Sequence, residues 1–198
     1  MAAFEHKPVD FSKLASEIEG LSDKQIQAHL GLYNGYVKKL NEIETKLTSA
    51  DPSAANYSFN EFSELKRREA VAFNGAYLHQ LYFENLRKNV QIPAKLKAAI
   101  EKDFGSFTNW ETQTKGAALS TPGWVLLTYN KVDKKLHNYI LFEHHIGLPA
   151  KNEIILALDC WEHAYMIDYG TAKADYLKTF MLNINWEVAA KRLEAASK

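Results

Sequence analysis

Apolar residues fall at Ile26, Leu30, Tyr33, Val37, Leu40, Ile43 and Leu47, in steps of 4, 3, 4, 3, 3 and 4. Only a helix of 3.6 residues per turn gathers such positions into one stripe, so the chain is committed to a long amphipathic helix here. About 25 residues at 1.5 Å each give roughly 37 Å. Ser22-Asp23-Lys24-Gln25 reads as the capping box that starts it. The serine hydroxyl and the glutamine side chain are expected to satisfy free N–H groups there. Ser49-Ala50-Asp51-Pro52-Ser53 breaks the helix. A stripe this long needs a partner, and a second start signal, Ser58-Phe59-Asn60-Glu61, supplies one that runs to about Leu86. Its first part is charged, whereas Ala70–Leu86 is apolar or aromatic on most sides and is expected to be buried. Two long helices joined by a broken loop predict an antiparallel hairpin.

Residues 1–21 read as an arm with one short helical turn around Phe11–Ile18. Beyond the hairpin, Pro93 opens a helix over Ala94–Phe104 that Gly105 stops, and Ser106–Lys115 continues as a short helix. The period then changes. Gly123–Asn130 and Lys134–His145 are rich in β-branched and aromatic residues and predict a β-hairpin. Glu153–Asp159, apolar on both faces, predicts a central third strand. Residues 170–181 and 183–195 read as closing helices. The fold class is α+β: an N-terminal α-hairpin lobe over 1–90, and a C-terminal lobe over 91–198 with a three-stranded antiparallel sheet and surrounding helices.

Charge excludes one class of partner. Lys+Arg and Asp+Glu both count 24, so no basic surplus exists to neutralise a nucleic-acid backbone. No apolar run approaches the roughly 20 residues that span a bilayer, and no membrane association is expected. Met1–Pro8 lacks the basic start and apolar stretch of a secretory signal. Cys160 is the single cysteine, so no intrachain disulfide can form, which fits a reducing cytoplasm. Aromatic residues at 12% predict a large core or an aromatic-walled site.

The histidines carry the chemical signal. His6 and His137 stand in polar surroundings and read as surface residues. His29 lies among apolar neighbours in the first long helix, and His79 in the buried half of the second. A buried imidazole needs partners for both nitrogens, and either one alone reads first as a hydrogen-bonded core histidine. Asp159 and His163 change the balance. A carboxylate directly after Ile154-Ile155-Leu156-Ala157-Leu158 is expensive to bury without a cation beside it. Three neutral imidazoles and one carboxylate suit a first-row transition metal.

Asp159-Cys160-Trp161-Glu162-His163-Ala164-Tyr165 resembles the D-x-W-E-H-A-Y signature of the iron/manganese superoxide dismutases. Phe73-Asn74-Gly75-Ala76 with His79, Phe104-Gly105-Ser106-Phe107, Gly123-Trp124 and Asn185-Trp186 resemble further segments of that family, so the resemblance covers about residues 22–196. It implies disproportionation of superoxide anion to O2 and H2O2 at one Fe or Mn ion per chain. His29, His79, Asp159 and His163 would be the metal ligands, with a solvent molecule fifth. Tyr36 resembles the tyrosine that gates the substrate funnel, and Trp124 and Trp161 resemble walls of the pocket. His144 resembles the residue that hydrogen-bonds the metal-bound solvent, and the adjacent His145 is an alternative for that role. Glu162 resembles the residue that crosses a dimer interface, which with Tyr165 implies a homodimer or homotetramer.

Two departures stand out. Family members carry a second histidine four residues after the first ligand and the tyrosine eight after it; this chain has Tyr33 and, seven after, Tyr36. A spacing of seven leaves His29 and Tyr36 about 20° apart on a regular helix, whereas eight needs an inserted residue such as a π-bulge. The family's tryptophan near the second ligand is Phe83 here. Two other readings remain at this stage. In one, the family fold has lost catalysis and serves as an interaction or assembly component. In the other, the same site performs mononuclear non-haem oxygenase or peroxidase-like chemistry, which needs an organic-substrate pocket.

Overall fold

In the computed structural model, which describes residues 3–198, the predicted stripe is buried from Ile26 to Ile43 along one uninterrupted helix, α2 (Asp23–Leu47), with Leu47 half-buried at its end. Its partner α3 (Glu61–Glu84) packs antiparallel to it and buries Ala72, Gly75, Ala76, Leu78, His79, Tyr82 and Phe83. The short turn α1 (Leu14–Glu17) lies in the N-terminal arm. After the hairpin come α4 (Ala94–Phe104) and α5 (Phe107–Leu119). Gly105, at φ +83°, ends α4 in a conformation that other residues adopt at a cost.

Three antiparallel strands follow, β1 (Trp124–Asn130), β2 (Lys135–Leu141) and β3 (Asn152–Asp159). A single 3-10 turn over Glu162–Ala164, then α6 (Met166–Tyr169), α7 (Lys173–Leu182) and α8 (Trp186–Ala196), complete the chain. The strand order is β2-β1-β3, with Trp124 opposite Leu141 on one side and Asp159 on the other. Leu126, Leu141, Ile155 and Ala157 are fully enclosed. Burial of one such leucine is worth about 1.5–3 kcal/mol relative to leaving it exposed.

Several expectations are corrected. β3 is an edge strand, not the central one. It is apolar on both faces because α3 and α8 cover it, and helix burial leaves the same sequence trace as strand pairing. β2 ends at Leu141, so His144 and His145 lie in the turn that follows. The second helix is capped by Asn60, whose side chain accepts from Ser63 N–H, and not by Ser58. α5 runs on through Gly116 to Leu119, since one glycine inside a packed helix costs only about 1 kcal/mol and Ala117, Ala118 and Leu119 beyond it favour helix, with Ala118 buried. His6 is buried: the arm folds back over the hairpin, where His6 meets Tyr77 Oη at 2.9 Å and Glu44 Oε2 at 3.0 Å. The first capping box forms by halves. Ser22 Oγ accepts from Gln25 N–H at 3.1 Å, but the Gln25 side chain turns elsewhere.

Candidate metal centre

α2 and α3 each aim one imidazole into the space between them, and the end of β3 closes that space. His29 shares the buried stripe of α2. On α3, His79 Nδ1 lies 2.5 Å from the Gly75 carbonyl one turn back. A carbonyl only accepts, so Nδ1 carries the hydrogen and Nε2 presents a lone pair. Asp159 ends β3, where its Oδ1 accepts Trp161 N–H at 2.9 Å and leaves Oδ2 facing the imidazoles. His163 lies in the 3-10 turn four residues on.

The nitrogens of His29 and His163 each lie 3.1 Å from Asp159 Oδ2. His79 Nε2 is 3.3 Å from His163 Nε2 and 3.5 Å from Asp159 Oδ2. One ligand atom from each of the four residues lies within 4.8 Å of every other. Donors about 2.0–2.2 Å from one ion stand roughly 3.0–3.6 Å apart when their bond angles are 90–120°. The spacing therefore suits a single cation. The lone pair at His79 Nε2 faces both the His163 nitrogen and the Asp159 oxygen, and a cation between them would satisfy all three. Nitrogen and carboxylate donors together favour a first-row transition metal.

Electrostatics keeps the donors in ligating form. Burial would raise the Asp159 carboxyl, but its close contacts with His163 and His29 outweigh that and hold it far below the usual carboxylate range. Burial lowers His29, only partly offset by Asp159, and pushes His79 down to about 3. Both imidazoles are thus neutral at pH 7. His163 is the least enclosed ligand candidate, with its side chain 29% exposed against 1% or less for the other three.

A second group of residues borders the first. Tyr36 stacks on His79 at 5.3 Å between centroids, and its hydroxyl is 2.7 Å from His144 Nε2. Trp124 Nε1–H donates to His144 Nδ1 at 3.0 Å. An indole nitrogen only donates, so His144 carries its hydrogen on Nε2 and donates it to Tyr36 Oη. The phenol hydrogen of Tyr36 is then free for another acceptor. Gly75 makes room for this arrangement, because a methyl group there would run into the Tyr36 ring. Trp161 stacks on His163 at 6.2 Å and 14°. His145 is exposed and is not among the four residues whose ligand atoms cluster. Glu162 is also exposed, whereas Tyr165 is buried and stacks on Tyr176 at 4.9 Å.

The seven-residue spacing therefore works without a bulge: α2 is regular from His29 to Tyr36, and both residues border His79. Sequence reasoning missed four supporting residues. Asn74 Nδ2 holds the His144 carbonyl at 2.7 Å, and Tyr176 Oη donates to the Asp159 carbonyl at 2.8 Å. Gln25 Nε2 holds the His163 carbonyl, and Asn85 Oδ1 accepts from Ala157 N–H. Asn74 lies in a segment already singled out; nothing local marks Tyr176 or Asn85.

Comparisons with known proteins converge on one family. Residues 92–192 match the family described as iron/manganese superoxide dismutases, C-terminal domain. The chain is 40% identical to an iron superoxide dismutase of Cupriavidus metallidurans, over 98% of each chain. It is 35% identical to an iron superoxide dismutase of Aquifex aeolicus, over 100% of this chain and 95% of the relative. A manganese superoxide dismutase of Haloarcula marismortui is 34% identical, over 94% of this chain and 91% of the relative.

Proposed function

The chain belongs to the iron/manganese superoxide dismutases, and we propose that His29, His79, Asp159 and His163 are the residues with which it holds its metal. It is an oxidoreductase: two superoxide anions and two protons become O2 and H2O2, with one Fe or Mn ion per chain as cofactor. When bound, the ion supplies a one-electron couple that takes an electron from one superoxide and gives it to the next.

The protein side of the reaction is charge, protons and exclusion of water. Three neutral imidazoles and one carboxylate carry a single negative charge, so the loaded pocket stays positive and draws the anionic substrate. Peroxide formation consumes protons, and Tyr36 holds one at Oη. Burial, with the nearby charges of Asp159 and Glu143, raises that phenol, so it remains protonated at neutral pH. The His144 Nε2–H donated to the same oxygen stabilises it when the proton leaves. Trp124 fixes the His144 tautomer, and Trp161 screens His163 from water. His144, not His145, takes the hydrogen-bonding role in this reading.

The observation that carries the ligand assignment is the buried lone pair of His79 directed at Asp159. Elemental analysis should find about one Fe or Mn per chain, and His79→Ala should lose both the metal and superoxide consumption. Full metal content in that variant removes His79 from the site.

We further propose that the protein works in the cytoplasm as a homodimer or homotetramer built through Glu162 and Tyr165. Exposed Met166 and Ile167 beside Glu162 support an interface there, and buried, unpaired Cys160 supports a reducing compartment. The division into lobes at 1–90 and 91–198 is part of the same reading, supported by a family match that begins at residue 92. Light scattering on a gel-filtration column tests the assembly: a strict monomer removes Glu162 from any interface.

A further inference from the structure

The half-formed capping box at the start of α2 has a use. Gln25 is fully buried, yet its side chain does not reach back to Ser22 N–H. Asp168 takes that task instead: Ser22 N–H donates to Oδ2 and Ser22 Oγ–H to Oδ1, both at 2.6 Å. The Gln25 amide is thereby released to the segment that carries His163. Its Nε2 donates to the His163 carbonyl at 2.6 Å, and its Oε1 accepts Ile167 N–H at 3.0 Å. One side chain thus bridges the 3-10 turn and the first residues of α6. The amide orientation is fixed, since reversing it would set oxygen against carbonyl and N–H against N–H.

We infer that Gln25 is a positioning residue for His163: it fixes the main chain of this ligand against α2 and so holds the Nε2 atom of His163 beside that of His29 on the same helix. The inference rests on the metal-ligand reading above. His163 is where such support matters most. It stands on a single turn of 3-10 helix with 29% of its side chain exposed, whereas His29 and His79 lie within long helices and Asp159 is fully buried where β3 ends. Asp168 and Ser22 form the outer part of the same clasp. Groups that orient a ligand from outside its coordination sphere typically change metal affinity 10- to 100-fold when removed.

The test uses the full-length, metal-loaded protein and Gln25→Met, which keeps the length and shape of the side chain and removes both bonds. Release of Mn2+ or Fe2+ to excess EDTA is timed below the melting point of either protein. Melting temperatures are compared with and without metal. Release should accelerate about 10-fold, and the metal-dependent gain in melting temperature should shrink. A purely structural role would lower both melting temperatures equally and leave release unchanged; that outcome overturns the inference. If Gln25→Met does not fold, Gln25→Glu decides. It keeps the acceptor for Ile167 but turns an oxygen toward the His163 carbonyl, and must also release metal faster. A wild-type chain that takes up neither ion overturns the ligand reading and this inference with it. A wild-type chain that holds its ion while neither variant releases it faster overturns this inference alone.

Discussion

His79 stores its hydrogen on Nδ1, and its buried Nε2 resists protonation down to a pH of about 3, against an ordinary value of 6.5. The unfolded chain takes up that proton first. Its stability effect in the metal-free protein is therefore nil above 6.5 and grows steadily as pH falls towards 3. His29, lowered by burial, acts in the same direction, and Asp159, held low by its histidine partners, adds a loss only below its unfolded value of 3.8. The melting temperature of the metal-free chain should fall from pH 7 to pH 5 and again to pH 4. A flat profile over that range, followed by circular dichroism, contradicts the burial of neutral imidazoles. Gly75 gives a second expectation. Gly75→Ala displaces the Tyr36 ring, and overpacking of this kind costs about 1–3 kcal/mol. With Tyr36 moved away from His144, superoxide consumption should drop roughly 10- to 100-fold while metal content holds. Unchanged turnover in a fully loaded Gly75→Ala protein would show that the Tyr36–His144 contact is dispensable.

The N-terminal arm supports the hairpin from behind the site. Val9 N–H donates to Tyr33 Oη at 3.0 Å, and Phe11 packs on Phe83 at 5.3 Å, which in turn packs on His29 at 4.8 Å. Tyr33, at a position where the family carries histidine, is therefore occupied by the arm. Phe11→Ala should cost about 2 kcal/mol, roughly half the loss for a fully buried phenylalanine, and lower the melting temperature by about 4–8 °C. A shift under 1 °C in thermal melts would mean that the arm is not load-sharing. The arm also marks where reading the sequence stops working. The α2 stripe was legible because helix periodicity is local, and the D-x-W-E-H-A-Y segment because its spacing is local too. His6 was misjudged because its partners, Asn41, Glu44 and Tyr77, lie 35 to 71 residues away. β3 looked central because a covering helix and a neighbouring strand exclude water equally. The choice between His144 and His145 depends on the turn after Leu141, which no periodicity describes.

The ligand candidates come from three parts of the chain that share no local structure: α2, α3 and the segment from the end of β3 through the 3-10 turn. Packing alone brings them together, but it also brings the His79 lone pair towards a carboxylate oxygen, an arrangement that packing does not favour. A cation held by these four residues would compensate it and would tie the hairpin to the loop beyond β3. A metal held at 1,000 times its dissociation constant adds about 4 kcal/mol to stability, which for a chain of this size is about 8–16 °C in melting temperature. The loss on chelation should not be even. β1 and β2 keep their pairing without any contribution from the ligands, whereas residues 160–169 include a 3-10 turn, a four-residue helix and the least enclosed ligand. At a temperature where both forms stay folded, hydrogen exchange should speed up in 160–169 on metal removal while the β1–β2 amides remain protected. Equal protection of 160–169 in the two forms would mean that the loop holds its place without the ion, and that the ligand set is shaped by the fold alone.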